Sequence, residues 1–443
     1  MQDHASKREP QAHGRNGDQR RLLLLTTTTG YQTRTFTEAA AKLGVSLVFG
    51  TDRCHVLDDP WQDGALPLHF SNPKYSAEKI ADLVCTQPLD GIVALGDCTP
   101  STAARAAQAL GLLHHPPEAT DVCRDKYRSR QRLAAQGLNV PGFIRFQLEA
   151  DPREILRLEV LPFGFPCVLK PLALSASRGV IRADSAEEFV RAFERIRLML
   201  RSPEIQVLRE ETSHFLQAEE YIDGVEIAVE GLVNRGTLKV LAIFDKPDPL
   251  TGPFFGETIY VTPSRLRSDT QAQIVETLKR AVQALGLYHG PLHAELRLNA
   301  SGIWILEVAA RSIGGLCSRA LRFRSADAAE NISLEELIIH LALGDDIERI
   351  YREQTASGVM MIPVAEAGVL HGVEGVEEAR AIPGVEEIII TARPTQKMVP
   401  LPEGSSYPGF IFARGATPEF VEQALRQAHQ HLRFVLSPAL PVV

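Results

Sequence analysis

At 443 residues, with 44% hydrophobic and 23% charged side chains, the chain has a globular balance and the length for roughly two to four cores. Its formal net charge of −8 argues against a nucleic-acid partner, because a polyphosphate backbone attracts basic surfaces. Six scattered cysteines include neither a CxxC pair nor a Cys/His spacing suited to zinc, so they read as small packed hydrophobes in a reducing cytosol.

Residues 1–20 are mostly polar, lack a hydrophobic region and are expected to form a disordered tail, not a signal peptide. Leu22–Leu25 reads as a buried strand, far too short to span a bilayer. Thr35-Phe-Thr-Glu38 has a capping-box pattern that would open a helix stopping at Gly44. Ser46–Phe49 and Gly91–Leu95 are further strands, and Ser101 is expected to cap a helix ending near Gly111. Strands alternating with helices predict a doubly wound parallel sheet over residues 21–117, without the GxGxxG loop of a dinucleotide site.

A helix over Asp121–Gln136, stopped by Gly137 and Pro141, opens a strand-rich region over residues 118–345. Strands are predicted at Pro166–Lys170, Leu216–Tyr221, Glu226–Val233, Leu238–Phe244, Leu292–Leu298 and Ile303–Val308. Helices are predicted from Ser185 and over Thr270–Gly286, and Ser333-Leu-Glu-Glu336 caps another that ends at Gly344. Runs of strands broken by a few helices predict an α+β domain. Residues 346–443 carry short strands at Val359–Ile362, Glu386–Thr391 and Gly409–Ala413, then a helix from Thr417-Pro418, which suits a small α+β cap.

The most informative segment is His293-Ala-Glu-Leu-Arg-Leu-Asn-Ala-Ser-Gly-Ile-Trp-Ile-Leu-Glu-Val-Ala-Ala-Arg311, read as a hairpin with the loop Ala300-Ser301-Gly302. That register sets Asn299 against Ile303 and Glu295 against Glu307, with His293, Glu295 and Arg297 on one face. If the second strand runs on, Arg311 joins the Glu307 face. Opposed carboxylates repel, and become sensible around a hard cation such as Mg²⁺. The alternatives are charges on a solvated face or a register one residue different. Pro166-Cys-Val-Leu-Lys170 is a strand ending in a lysine, followed by a small-residue loop, Leu174–Val180, able to close over phosphates or simply to follow an edge strand. No P-loop pattern is present. Asp125-Lys126 alone is a solvated pair, and Glu219–Glu226 alone is a hairpin with acidic decoration.

In order, however, these pieces resemble the ATP-grasp superfamily from about residue 22 onward: Asp125-Lys126, Phe165–Pro171, the serine/glycine loop, Glu219–Glu226, and the set Glu295, Glu307 and Arg311. The resemblance implies a Rossmann-like pre-ATP-grasp domain (21–117), an ATP-grasp domain (118–345) and a ligase cap (346–443). It implies that Lys126 and Lys170 contact ATP phosphates beneath Ser175, Ser177 and Gly179. Glu219 with the backbone near Tyr221 and Ile222 would hold adenine, and Glu226 the ribose. Glu295 and Glu307 would bind Mg²⁺, with Mn²⁺ as a substitute, while Arg311 and Lys170 would serve catalysis. The branch it resembles is that of L-amino-acid ligases and carnosine synthase, on Arg311-Ser-Ile-Gly-Gly315, Phe254-Phe-Gly-Glu257 with Thr262-Pro-Ser264, and the stretch after Gly358. This implies ATP-dependent joining of a carboxylate to an amine, both small molecules and by family amino acids, in a cytoplasmic enzyme with no nucleic-acid or membrane partner and a homodimer as the family-level assembly.

Many relatives have asparagine where this chain has Ala309, which removes one metal or phosphate ligand. Two rival readings are an ATP-grasp carboxylase that uses bicarbonate and a catalytically silent nucleotide-binding regulator. His293 is open between substrate contact, packing and a solvated position, and Cys317 is a candidate pocket residue without assigned chemistry.

Overall fold

The computed structural model describes residues 19–27, 31–52, 65–85, 87–207, 210–325 and 330–438; most of the expected tail, and Cys54, lie outside them. Near the N-terminus a four-stranded parallel sheet runs in the order Leu66–Pro67, Ser46–Thr51, Arg21–Thr26, Gly91–Ala94. Leu22 to Leu25 are fully buried, as an unbroken apolar run must be when helices cover both faces of a parallel sheet. The helices are Thr33–Lys42, Pro73–Val84 and Pro100–Leu110.

Two expected caps are corrected. The first helix starts two residues before Thr35, whose hydroxyl donates to the Gln32 carbonyl at 2.8 Å, while Glu38 pairs with Arg34. The third starts at Pro100 after Thr99, leaving the Ser101 hydroxyl to bond Asp121 at 2.8 Å. The long helix expected over Asp121–Gln136 is two, Pro117–Arg124 and Lys126–Ala135. Asp125 is extended between them, and its carboxylate accepts from the amides of Tyr127 and Arg128, so it caps the second helix instead of continuing the first.

A second sheet is antiparallel, ordered Phe143–Gln147, Phe215–Glu220, Cys167–Pro171, Ile181–Ala183. It packs on the helix Ala186–Leu200, capped by Ser185 as expected. The largest sheet has eight strands in the order Gly302–Ala309, Gly290–Asn299, Val225–Asn234, Thr237–Asp245, Ile259–Thr262, Ala356–Met361, Gly409–Gly415, Val385–Ile390. It therefore runs across the boundary expected near residue 345: Ile259 to Thr262 pair with Met360 to Ser357. The helix Leu334–Ala342 has its full capping box, and Thr417 caps the helix Pro418–His431.

The hairpin register was reached by a different route from the one expected. Its turn holds only Ala300 and Ser301, since Asn299 pairs with Gly302, one residue out from the three-residue loop. A bulge at Leu306 then takes up that residue, and Glu295 faces Glu307 as expected.

Candidate active site

One cavity of about 320 Å³ opens between the antiparallel sheet, the eight-stranded sheet and the N-terminal unit. Lys126, Lys170, Ser175, Ser177, Glu219 and Tyr221 line it. So do Ile222, Glu226, Glu295, Glu307 and Arg311. Of the residues given a nucleotide, metal or catalytic role from sequence, Gly179 alone stands outside the wall: its φ of +73° turns the loop, and its amide donates to the Pro402 carbonyl at 2.9 Å. The loop before it is tightly wound, with Ala176 and Ser177 also at positive φ.

The phosphate end is a shared-charge arrangement. Glu219, 2% exposed, lies 2.6 Å from Lys170 and 3.0 Å from Arg130, whose side chain is itself almost fully buried. Burial opposes ionisation of Glu219, but the two cations outweigh it and hold the carboxyl at about 2. One carboxylate serves two cations, and burial with Arg130 and Lys126 nearby lowers Lys170 despite the pull of Glu219. An incoming anion would supply the missing negative charge. Lys126 Nζ donates to the Leu174 carbonyl at 2.9 Å and so reaches the small-residue loop. The Tyr221 amide donates to the Pro166 carbonyl, whereas the Ile222 amide has no partner among the described residues. Glu219 is thus a counter-ion first, a role its place in an acidic run did not reveal.

On the opposite side, Lys246 is enclosed by three carboxylates: Glu226 at 2.9 Å, Glu257 in closer contact, and Glu295 at 3.6 Å. Oxygens of those glutamates lie within 4.8 Å of one another. Burial disfavours the Lys246 ammonium, yet its acidic neighbours raise its pKa well above the usual lysine range. Glu226 also binds Arg297 at 2.8 Å, so both its oxygens are engaged. Burial raises Glu257, while Lys246 and His293 hold Glu295 low against the same penalty. Glu307 has no ion pair or hydrogen bond among the described residues. These residues fit a hard divalent cation: two carboxylates face each other across the hairpin, one is unengaged, and carboxylate oxygen is the donor Mg²⁺ prefers. Sequence reading missed Lys246 and Glu257 as site members; Phe254-Phe-Gly-Glu257 was noticed as a motif, but only the fold brings it to the hairpin.

Strand Gly302–Ala309 ends before Arg311, which nevertheless lines the cavity. Its guanidinium contacts Asp97 from the N-terminal unit and donates to the Ser312 carbonyl at 2.9 Å. Burial lowers the Arg311 pKa less than Asp97, Glu307 and Glu230 raise it. His293 is packed, not solvated: Nδ1 lies 3.1 Å from Glu230, and burial is outweighed by Glu230 and Glu295, lifting its pKa to about 9. Cys317 lines the cavity, and burial pushes its thiol well up.

Three family matches fall on this framework in chain order: the ATP-grasp N-terminal domain over residues 37–113, the ATP-grasp domain over 163–320, and L-amino acid ligase C-terminal domain 2 over 360–437. The chain is thus an ATP-grasp protein. Within that class it carries the C-terminal domain of the L-amino acid ligases. It is 31% identical to the alanine–anticapsin ligase of Bacillus subtilis over 54% of this chain and 51% of that one. The crystal structure of the L-amino acid ligase from Bacillus licheniformis superposes with a TM-score of 0.75 at 27% identity, covering 94% of this chain and 99% of that one. N5-carboxyaminoimidazole ribonucleotide synthetase from Thermotoga maritima shares the fold at a TM-score of 0.65 and 17% identity, covering 94% and 100% of the two chains. The chain spans about half the length of the alanine–anticapsin ligases it matches.

Proposed function

We propose that the protein is an ATP-dependent ligase that couples the carboxylate of one small molecule, an amino acid or close analogue, to the amine of another. The observation that carries this reading is the convergence of Lys126, Lys170, Arg311 and the facing pair Glu295 and Glu307 on one cavity. Lys126 and Lys170 would hold the ATP phosphates under Ser175 and Ser177, with the unengaged Ile222 amide directed to the adenine. Glu295 and Glu307 would hold Mg²⁺ (or Mn²⁺), which neutralises phosphate charge when bound. The substrate carboxylate oxygen attacks the γ-phosphorus, the bond to the β-phosphate oxygen breaks, and ADP leaves. The amine then attacks the acyl carbon, inorganic phosphate departs with the former carboxylate oxygen, and the amine proton passes to solvent. Arg311 would stabilise the transferring phosphoryl group, and positioning does most of the rest.

Among the described residues no helix is long and apolar enough to cross a membrane. Cys85, Cys98, Cys123, Cys167 and Cys317 are unpaired thiols, which supports placement in a reducing cytoplasm. A homodimer is the assembly to check by sedimentation. The ligase reading is tested by measuring ADP and phosphate release from Mg-ATP against a matrix of amino acids and amines. Turnover should need a carboxylate–amine pair and should collapse in Glu307→Gln. Turnover that requires bicarbonate, or ATP binding without turnover, would reject it.

A further inference from the structure

The turn Arg311-Ser-Ile-Gly-Gly315 borders the cavity beyond the hairpin, and its central peptide is held from both sides. The Ile313 amide donates to both oxygens of Glu230, at 3.1 and 3.2 Å. The Ile313 carbonyl accepts from Gln32 Nε2 of the N-terminal unit at 2.7 Å. Glu230 is fully buried on strand Val225–Asn234, directly across from His293, and His293 Nε2 is 3.8 Å from Glu295. The next two amides, of Gly314 and Gly315, have no partner among the described residues, although both residues line the cavity. A side chain at Gly314 would meet nothing within 4 Å, so that peptide is open to an incoming group.

A buried carboxylate is an expensive way to hold a turn, because packing alone would do so without the cost of desolvating a charge. What the charge adds is direction: it fixes which way the Ile313 peptide faces, and therefore which way the two following amides point. The resemblance to the L-amino-acid ligases implies that the glycines of Arg311–Gly315 bring backbone amides to a substrate carboxylate; we propose that Glu230, with Gln32, is the positioning residue that sets the Gly314 and Gly315 amides for that contact. Through His293 it ties that cradle to Glu295, so that the anion cradle and the candidate cation site share one support. This deepens the ligase reading and rests on it for the identity of the bound group.

The test uses the full chain with Glu230→Met, which keeps the volume and removes the acceptors, and Glu230→Gln, which keeps one acceptor oxygen. With the carboxylate–amine pair found for the wild type, Glu230→Met should raise KM for the carboxylate substrate roughly tenfold, the size expected for one lost directed hydrogen bond. KM for ATP should stay within about twofold, and Glu230→Gln should recover most of the loss. In the ligand-free protein, amide hydrogen exchange over residues 311–316 should quicken roughly tenfold in Glu230→Met while residues 290–309 stay slow. A folded Glu230→Met variant with unchanged carboxylate KM and unchanged exchange overturns the proposal, as does a loss shared equally by both substrates. If Glu230→Met fails to fold, Gln32→Leu puts the same questions from the other side of the peptide, with the same two outcomes. Absence of turnover in the wild type would reject the ligase reading, and the exchange comparison would still decide the clamp.

Discussion

Glu219→Gln removes the shared counter-ion of Arg130 and Lys170 without changing the shape of the side chain. Both cations are buried beside it, at 3.0 and 2.6 Å, so the variant leaves two positive charges without their nearest partner. Breaking one side of a buried pair typically costs ~3–5 kcal/mol. A second route gives a similar figure: the native carboxyl sits at about 2 against an ordinary 4.5. At about 1.36 kcal/mol per pKa unit, that depression is worth roughly 3 kcal/mol. Because the folded pKa is depressed, this stability is complete above pH 4.5 and is lost as pH falls toward 2. Urea denaturation at pH 7 should therefore show Glu219→Gln less stable by about 3 kcal/mol. Phosphate-bearing ligand supplies negative charge to the same cations, so Mg-ADP should stabilise whatever fraction of the variant still folds. A loss below about 1 kcal/mol would refute the shared counter-ion account, since it would place the pair in effectively solvated surroundings.

Two further predictions concern the frame around the site. His115 is 1% exposed; its Nδ1 accepts from the Tyr288 amide, its Nε2 donates to the Pro291 carbonyl, and burial followed by His114 depresses its pKa from 6.5 to about 3. A depressed histidine stabilises fully above 6.5 and loses that contribution as pH falls, by about 2 kcal/mol at pH 5; His115→Gln should flatten the denaturation-versus-pH curve between 7 and 5, and an unchanged slope would contradict the assignment. Gly224 has φ +112° and would drive a Cβ into the Leu298 carbonyl, so Gly224→Ala should lower stability by at least ~2 kcal/mol in the same assay, and a neutral effect would show that the Glu219–Glu226 segment can shift freely.

Period and punctuation made much of this molecule legible in advance. The unbroken run Leu22–Leu25, the left-handed glycines Gly111 and Gly286, and the capping box at Ser333 each settle locally what the backbone does. Where a side chain had two local uses, sequence reading chose wrongly: Thr35 and Ser101 were available as caps, but Gln32 and Asp121 offered them other partners. Asp125 stops one helix and starts the next with no proline or glycine to mark the break. The hairpin is more instructive still. The turn is one residue shorter than expected and an unforeseen bulge at Leu306 takes up that residue, so Glu295 meets Glu307 by compensation. Charge networks were the least legible feature. Lys246 follows one strand and Glu257 precedes another, and only the eight-stranded sheet brings both to Glu295. The contact of Asp97 with Arg311 spans two structural units and leaves no local trace.

The central claim is that a carboxylate is activated as an acyl phosphate in the cavity shared by Lys170, Arg311 and the facing glutamates. The most direct measurement supplies the carboxylate substrate labelled with heavy oxygen, together with ATP, Mg²⁺ and the amine, and follows the label by mass spectrometry. The account predicts ADP as the nucleotide product and one carboxylate oxygen transferred to the released phosphate. Unlabelled phosphate, or AMP with the label in its phosphate, would contradict it.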